Sequence, residues 1–428
     1  MSFRPTPLAV ALAAVLAQAL FLGVVLNRPE LFCLALVLLV ALLRGAIPPS
    51  TRLQKAELAM DTSTRSEGDE LVVTVTAVLA GDHAGPIQIL LVRPSTASAV
   101  GPGEHPVLQT SPDGVLRWDF RFRCESAGIV EFHDLHFRSW DPSGLWVGET
   151  RHDVRAAVHV QPRADVVRRA VLTRRTGAPF GSHTSVVAGE GIEFADIRPF
   201  VSGDRLSHIN WRASLRRGVP HVNRFHIDRQ ADVILLIDTC ADVGRRPNSA
   251  LDHMRRAAAG LAAVHLRQHD RVGLLEYGGV TRSTRLAAGR SQYQRILNAL
   301  TRSQGLGTEL RQELTALPNR VLPPNALVIA LTPLLDERFR RAVRRLAERG
   351  QDIVLLALQT DELSSSLLPP SDVDALARRV WKLEREDRLR ELRYSGIRAV
   401  HWPPGRPLEA VLDAVARPVA GRGARWCA

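Results

Sequence analysis

Two nearly uninterrupted apolar stretches at the amino end constrain this chain more than any other feature. Leu8 to Leu26 is apolar apart from Gln18, and Leu31 to Ile47 is apolar apart from Arg44. At about 19 and about 17 residues, each is about long enough to cross roughly 30 Å of hydrocarbon as a helix. Only Asn27-Arg28-Pro29-Glu30 separates them, a turn with a helix breaker, so residues 1–50 read as a transmembrane helical hairpin with spans at 8–26 and 31–47. A cleaved signal peptide competes with that reading, but no small-residue cleavage site follows the first stretch and the second begins at once. Arg4, Arg44, Arg52 and Lys55 flank one side of the pair, while the turn holds Arg28 offset by Glu30. The positive-inside bias then expects a two-pass protein of the cell (inner) membrane, with its soluble domains cytoplasmic. That compartment suits four cysteines (Cys33, Cys124, Cys240, Cys427) with no C-x-x-C pair or zinc spacing.

The rest of the 428 residues has a globular composition, 45% hydrophobic and 23% charged, which excludes wholesale disorder and collagen-like structure. The net charge is +12, but every basic residue except Lys55 and Lys382 is arginine, a bias that a GC-rich genome also produces. No specific nucleic-acid partner is expected on that basis.

Residues 51–163 read as β. Leu71 to Val78, Ile87 to Val92 and Val115 to Phe122 are rich in β-branched or alternating apolar residues, with turn clusters between them, as in a small antiparallel β-sandwich. His133 and His136, placed three apart on a strand, would point to opposite faces and so form no metal pair. Residues 231–418 change to alternating strands and helices. Asp232 to Asp238 is nearly continuous in apolar residues, as a parallel strand buried on both faces requires. Arg271 to Tyr277, Ala326 to Leu331, Ile353 to Leu358 and Ile397 to His401 follow as strands. Ser249 to Gln268, Ser291 to Thr301, Glu337 to Arg349 and Val373 to Arg390 follow as helices. The rhythm predicts a doubly wound α/β domain, with Asp238 at the strand end where ligands bind in such sheets. Residues 419–428 form a tail.

Residues 164–230 form a linker and a strap in which arginine, carboxylate and aromatic residues interleave with turn glycines. Two readings stay open. Arg198, Arg205 and Arg212 satisfy neighbouring carboxylates and carbonyls in an interdomain strap, or Glu193, Arg198, Asp204, Arg205, Trp211, Arg212 and Arg216 form a docking surface for a partner. Arginine and tryptophan dominate interface hot spots.

The strap also carries a resemblance. Gly191-Ile192-Glu193-Phe194, Arg198-Pro199-Phe200, Gly203-Asp204 and Ile209-Asn210-Trp211-Arg212-Ala213-Ser214 resemble the signature of the bacterial family catalogued as domain of unknown function 58. Ser126-Ala127-Gly128, Asp141-Pro142-Ser143-Gly144-Leu145-Trp146 and Val160-Gln161-Pro162-Arg163 resemble its upstream elements. The resemblance implies a hairpin anchor, a β region and a von Willebrand factor A-like α/β domain, together with a MoxR-type AAA+ ATPase as partner in chaperone-like or envelope assembly work. It also implies a place for a metal-ion-dependent adhesion site. Asp238, Asp242 and Thr308 would be its ligands here, in degenerate form: Cys240 stands where a serine is expected, and Thr332-Pro333 replaces Thr-Asp, with Asp336 nearby. Three roles stay open for this loop: a weakened Mg²⁺ site, a structural cap by Asp238, and a nucleophilic Cys240. No cofactor is required by any of the motifs present, and Mg²⁺ is the one candidate.

The chain has no P-loop, dinucleotide fingerprint, nucleophile elbow or H-E-x-x-H. The helix from Glu337 to Arg349 holds Arg338, Arg340, Arg341, Arg344 and Arg345, and reads as a solvated face. The expectation is a non-enzymatic, membrane-anchored protein-binding adaptor. A metal- or Cys240-dependent hydrolase or transferase is the alternative, and an arginine-rich binder of nucleic acid or anionic surfaces a second one.

Overall fold

The computed structural model describes residues 2–44, 52–80, 86–101, 107–108, 114–171, 184–189, 193–202, 204–228, 231–279, 281–303, 318, 320–365 and 372–416. The chain forms two compact units, Met1–Arg163 and Ala164–Ala428.

In the first unit, helix α1 (Pro7–Leu26) begins with Pro7 in its first turn and Thr6 as N-cap, whose hydroxyl accepts from the Ala9 N–H at 3.3 Å. Asn27 closes it in the left-handed conformation, φ 50°, its N–H returning to the Gly23 carbonyl. Helix α2 (Pro29–Arg44) follows directly. A β-carbon on Gly23 would lie 3.2 Å from the Phe32 ring, so the missing side chain lets α2 approach α1 closely. By length and composition α1 can cross a membrane, whereas α2 is a shorter apolar helix. Positions 45–47 of the expected second span lie outside the described residues.

Three sheets share one core in the remainder of this unit. A four-stranded sheet runs in the order Arg52–Met60, Glu70–Ala80, Val115–Cys124, Ala97–Ala99. A three-stranded sheet joins Thr64–Ser66, Ala156–Gln161 and Gly128–Phe132. Along Glu70–Ala80 burial alternates strictly, which turns Leu71, Val73, Val75 and Ala77 onto Phe120, Phe122, Phe132 and Phe137. The pairing is antiparallel throughout except where Ala156–Gln161 runs parallel to Thr64–Ser66. The five-stranded sheet contains a strand with no sequence signature: Ser2–Pro5, immediately ahead of α1, pairs with Trp146–Glu149. Thr6 extends the attachment, its N–H bonded to the Leu145 carbonyl and its hydroxyl to the Gly144 carbonyl, each at 2.9 Å.

The expected single strand carrying both His133 and His136 is broken. Asp134 adopts φ 57° and turns the chain between Gly128–Phe132 and Leu135–Trp140, so the odd-offset argument does not apply. The two rings go to separate carboxylates, His133 to Glu131 at 3.1 Å and His136 to Glu149 at 3.9 Å.

The second unit opens with residues 164–171, whose Val167 and Val171 are buried on the α/β core. A small antiparallel sheet follows, ordered Thr184–Gly189, His221–Asp228, Glu193–Pro199, with helix α3 (Trp211–Arg217) in the connection between the last two in sequence. The α/β sheet comprises β1 (Asp232–Asp238), β2 (Arg271–Tyr277), β3 (Arg282–Ala287), β4 (Leu327–Thr332), β5 (Asp352–Leu358) and β6 (Arg398–Trp402). Its helices are α4 (Ala250–Arg267), α5 (Arg290–Arg302), α6 (Glu337–Glu348), α7 (Asp361–Ser365), α8 (Asp372–Tyr394) and α9 (Leu408–Ala416). The strand order is β3-β2-β1-β4-β5-β6, all parallel except the antiparallel edge β3. Alternate residues of β1 feed two cores: Val233, Leu235 and Ile237 pack with α4, α5 and α9, and Ile234 and Leu236 with α6 and α8. Helix α4 starts sharply because Ser249 and Asp252 form a reciprocal capping box. Strand order reverses between β1 and β4, which places a crevice at their carboxyl ends.

Candidate functional site

Asp238 ends β1 and Thr332 ends β4, and the two side chains meet across that switch point. The Thr332 hydroxyl donates to Asp238 Oδ2 at 2.6 Å and accepts from the Leu334 N–H at 2.8 Å. Asp238 Oδ1 accepts from the Cys240 N–H at 3.0 Å. One buried carboxylate therefore ties the loop after β1 to the loop after β4. Burial pushes its pKa up to about 6, opposed by the bonds from Thr332 and Cys240 and reinforced by nearby Asp336.

The other residues of the expected metal site have separate placements. Asp242 accepts from the Leu251 N–H at 3.0 Å in the first turn of α4. Thr308 lies outside the described residues. Among the described residues, no three His, Cys, Asp or Glu side chains gather as a metal-holding group. Thr332, the residue before the Pro333 that departs from the expected Thr-Asp, is the hydrogen-bond partner of Asp238.

Cys240 is half-buried, with Sγ 3.6 Å from the Tyr277 carbonyl oxygen. Burial pushes the thiol pKa well up, and the Asp238 and Asp336 carboxylates push it further. Nucleophilic cysteines are made by the opposite environment, one that stabilises thiolate. In the native full-length chain at neutral pH, Cys240 is expected to resist iodoacetamide and to react only once the chain is unfolded. Peptide mass spectrometry reads the difference, and prompt selective alkylation of native Cys240 would overturn that expectation.

Next to this crevice sits a buried charge cluster that the sequence reading missed. Glu276, one residue before the end of β2, is buried, and burial raises its pKa to about 7 against the lowering influence of Arg282 and Arg255. Arg255 of α4 is fully buried, paired with Asp252 at 3.3 Å and bonded to the Ser303 carbonyl. Its signal lay in helical spacing: Leu251, Met254, Arg255 and Ala258 occupy one buried face.

The strap divides cleanly into residues that hold its shape and residues that face outward. Arg198 pairs with Asp204 at 2.6 Å, and Asp204 also accepts from the Val201 N–H at 2.9 Å. Asn210 caps α3 by accepting from the Ala213 N–H at 3.0 Å, and donates to Asn223 at 2.8 Å. Ser214 accepts from the His221 N–H at 2.8 Å, and Gly218 ends α3 at φ 72°. On this frame Trp211 is 69% exposed, Leu215 84% and Leu206 72%. Arg205, Arg212 and Arg216 are exposed around them. Glu193 lies on its strand opposite His226, with its side chain outside the described set. Of the expected docking residues, then, Arg198 and Asp204 are structural, whereas Arg205, Trp211, Arg212 and Arg216 are presented. Leu206 and Leu215 join them. The sequence signal for Leu215 was its lack of helical company: α3 has only seven residues, too few to build a buried apolar face.

Residues 196–375 match a family model described as protein of unknown function DUF58. The match begins in the strap and extends into α8. An uncharacterized protein of Mycobacterium bovis and uncharacterized proteins of two Mycobacterium tuberculosis strains are 24% identical over 212 residues, covering 48% of this chain and 63% of theirs. The chain thus spans less than two thirds of the length of these curated relatives. Among solved structures, a non-cellulosomal cohesin from the archaeon Archaeoglobus fulgidus is 15% identical, covers 25% of this chain and 91% of its own, and scores a TM-score of 0.19. Domains 4 and 5 of the S-layer protein SbsC are 13% identical over 26% of this chain and 46% of that chain, at a TM-score of 0.16. Neither score indicates a shared overall fold.

Proposed function

We propose that this chain is a membrane-tethered, non-enzymatic binding protein that presents its α/β domain and strap to a protein partner, an AAA+ ATPase of the MoxR type. The observation that carries the reading is the exposed Trp211–Leu215–Leu206 surface on a loop pinned internally by Asp204, Asn210 and Ser214. A rigid frame that holds a tryptophan and leucines in solvent inside an arginine rim has the make-up of an interface centre. The ATPase enters through the family resemblance, and ATP hydrolysis would be supplied by it in trans.

The two-pass, cytoplasm-facing arrangement has support in the sheet pairing. Ser2–Pro5 and Arg52–Met60 both belong to sheets of the first unit, and α1 and α2 lie between them. A single crossing in that interval would leave the two strands on opposite faces of the bilayer. Two crossings keep them together, and cleavage after α1 would remove a sheet strand. The flanking charges favour a cytoplasmic side for the soluble units. No Mg²⁺ is needed for this role. The hydrolase reading loses support from the raised Cys240 pKa.

Affinity capture of the tagged full-length chain from native membranes, with and without a non-hydrolysable ATP analogue, tests the proposal. Trp211→Ala and Leu215→Ala are each expected to weaken ATPase recovery by at least about 10-fold, as truncation of a buried interface anchor does. Undiminished recovery with both variants would remove the strap as the docking site, and no ATPase under either condition would remove the adaptor role.

A further inference from the structure

The turn that joins Leu135–Trp140 to Trp146–His152 is bonded to the start of α1. The Thr6 N–H donates to the Leu145 carbonyl and the Thr6 hydroxyl to the Gly144 carbonyl, each at 2.9 Å, and Pro5 lies opposite Trp146 in the sheet. Paired strands stand about 5 Å apart, so Trp146 is within one strand spacing of the residues that lead into the helix. Helix α1 has 20 residues, and at 1.5 Å each its length of about 30 Å matches the hydrocarbon thickness without slack. A spanning α1 therefore sets Thr6 at the edge of the hydrocarbon. The turn bonded to Thr6 then lies in the headgroup layer, which is about 5–8 Å deep on each side.

The side chains gathered there suit that layer. Arg4 and Val147 are register partners, as are Val147 and Trp140, so the three stand in one row on the same face of the sheet. Arg4 is exposed, Trp140, Trp146 and Val147 are half-buried, and Phe3 is 37% exposed on the edge strand. Tryptophan favours this depth because its ring is apolar and its N–H polar, and an arginine there meets lipid phosphates. Residues 2–8 and 140–148 contain a single acidic residue, Asp141, and it is turned inward. Its carboxylate accepts from the Trp146 N–H at 2.6 Å, from the Ser143 N–H at 3.0 Å and from the Ser143 hydroxyl. The bonds that shape the turn thus also remove its negative charge from the surface. The next acidic side chain, Glu149, lies farther from α1 along its strand and is paired with Arg138 at 3.2 Å.

We propose that residues 2–5 and 140–147 form a lipid-contact surface, with Trp140 and Trp146 in the headgroup layer and Arg4 on the phosphates of anionic lipid. The proposal rests on the reading that α1 crosses the membrane, and it goes beyond a tether. The contact fixes the height and tilt of the β unit on the bilayer, where helices alone would let it swing. Lipid is the occupant because the surface lies at headgroup depth, where an acidic protein would have to displace lipid to reach it.

Tryptophan quenching in the full-length chain, reconstituted in vesicles of phosphatidylcholine and phosphatidylglycerol, tests this. Wild type is compared with Trp140→Phe and Trp146→Phe, and the emission missing from each variant reports that ring. This emission is expected to be lost when the vesicles carry a nitroxide on the lipid headgroup, and largely kept when the nitroxide lies deep in the acyl chains. Arg4→Gln, at an exposed position, is expected to reduce the headgroup quenching in the mixed vesicles and to leave it unchanged in phosphatidylcholine alone. Rings insensitive to the headgroup nitroxide, or quenched better by the deep one, would overturn the proposal. So would an Arg4→Gln effect that is absent, or equally large without phosphatidylglycerol. Flotation of the vesicles after an alkaline wash keeps the two readings apart. A chain that floats with both rings unquenched loses the lipid contact and keeps the tether, whereas a chain that washes off loses the tether and this surface with it.

Discussion

Gly260→Val is expected to lift residues 165–171 off α4 and to destabilise the second unit by about 3–4 kcal/mol. A β-carbon at Gly260 would lie 2.4 Å from the Asp165 carbonyl oxygen, and 3.1 and 3.3 Å from that residue's carbonyl carbon and nitrogen. These are backbone atoms and cannot rotate aside. The helix and the segment are already as close as a glycine permits, since the Asp165 N–H bonds the Arg256 carbonyl at 3.1 Å. Separating them exposes Val167 and Val171, each worth roughly 1.5–3 kcal/mol when fully buried. It also breaks the bond from Arg267 to the Val167 carbonyl at 3.1 Å and that from the Val171 N–H to His265 Nε2 at 3.4 Å. His265 is itself held by Asp270 at 2.8 Å through its other ring nitrogen, so the loss reaches the start of β1, where Asp270 also accepts from the Ala231 N–H. Hydrogen exchange over residues 165–171 should rise steeply, with a matching fall in the unfolding midpoint. An unchanged midpoint would show that the segment contributes nothing to stability.

The stability of the second unit should fall as pH rises from about 4 to about 7, and Asp238 should account for a large part of that slope. Its folded pKa, about 6, lies above the ordinary 3.8, and that of Glu276, about 7, lies above 4.5. A carboxyl that holds its proton longer in the folded state stabilises the fold fully below its unfolded pKa. That contribution is lost as pH climbs through the folded value. For Asp238 the window is about 4 to 6, and the effect is on the order of 3 kcal/mol. Asp238→Asn cannot ionise. Whatever constant cost the amide incurs at Thr332, its stability relative to wild type should improve across that window by this amount. Glu276→Gln should behave alike, with its window shifted upward to end near pH 7. Parallel wild-type and Asn curves from pH 4 to 8 would show that Asp238 is already ionised throughout.

Much of the α/β unit was legible because its signals are local. The apolar run at 232–238 has no other stable use than a strand covered on both faces, and it is one. Ser249 with Asp252 three residues on marks a helix start without reference to anything distant. What escaped depended on partners far along the chain. Thr332 gained its meaning from a carboxylate 94 residues earlier. Ser2–Pro5 carries no alternation and is a strand only because Trp146–Glu149 offers it an edge. The strap's motif was visible as a string, but the division into pinning and presented residues required knowing which side chains the loop turns inward.

The first strand also imposes a timetable. Thr6 reaches the Gly144 carbonyl across 138 positions of sequence. At a synthesis rate of about 5–20 residues per second, the amino terminus waits on the order of ten seconds or more for its sheet partner to leave the ribosome. Both apolar helices emerge during that interval. Closure of this sheet therefore waits until both helices and every strand up to Trp146 have been synthesised.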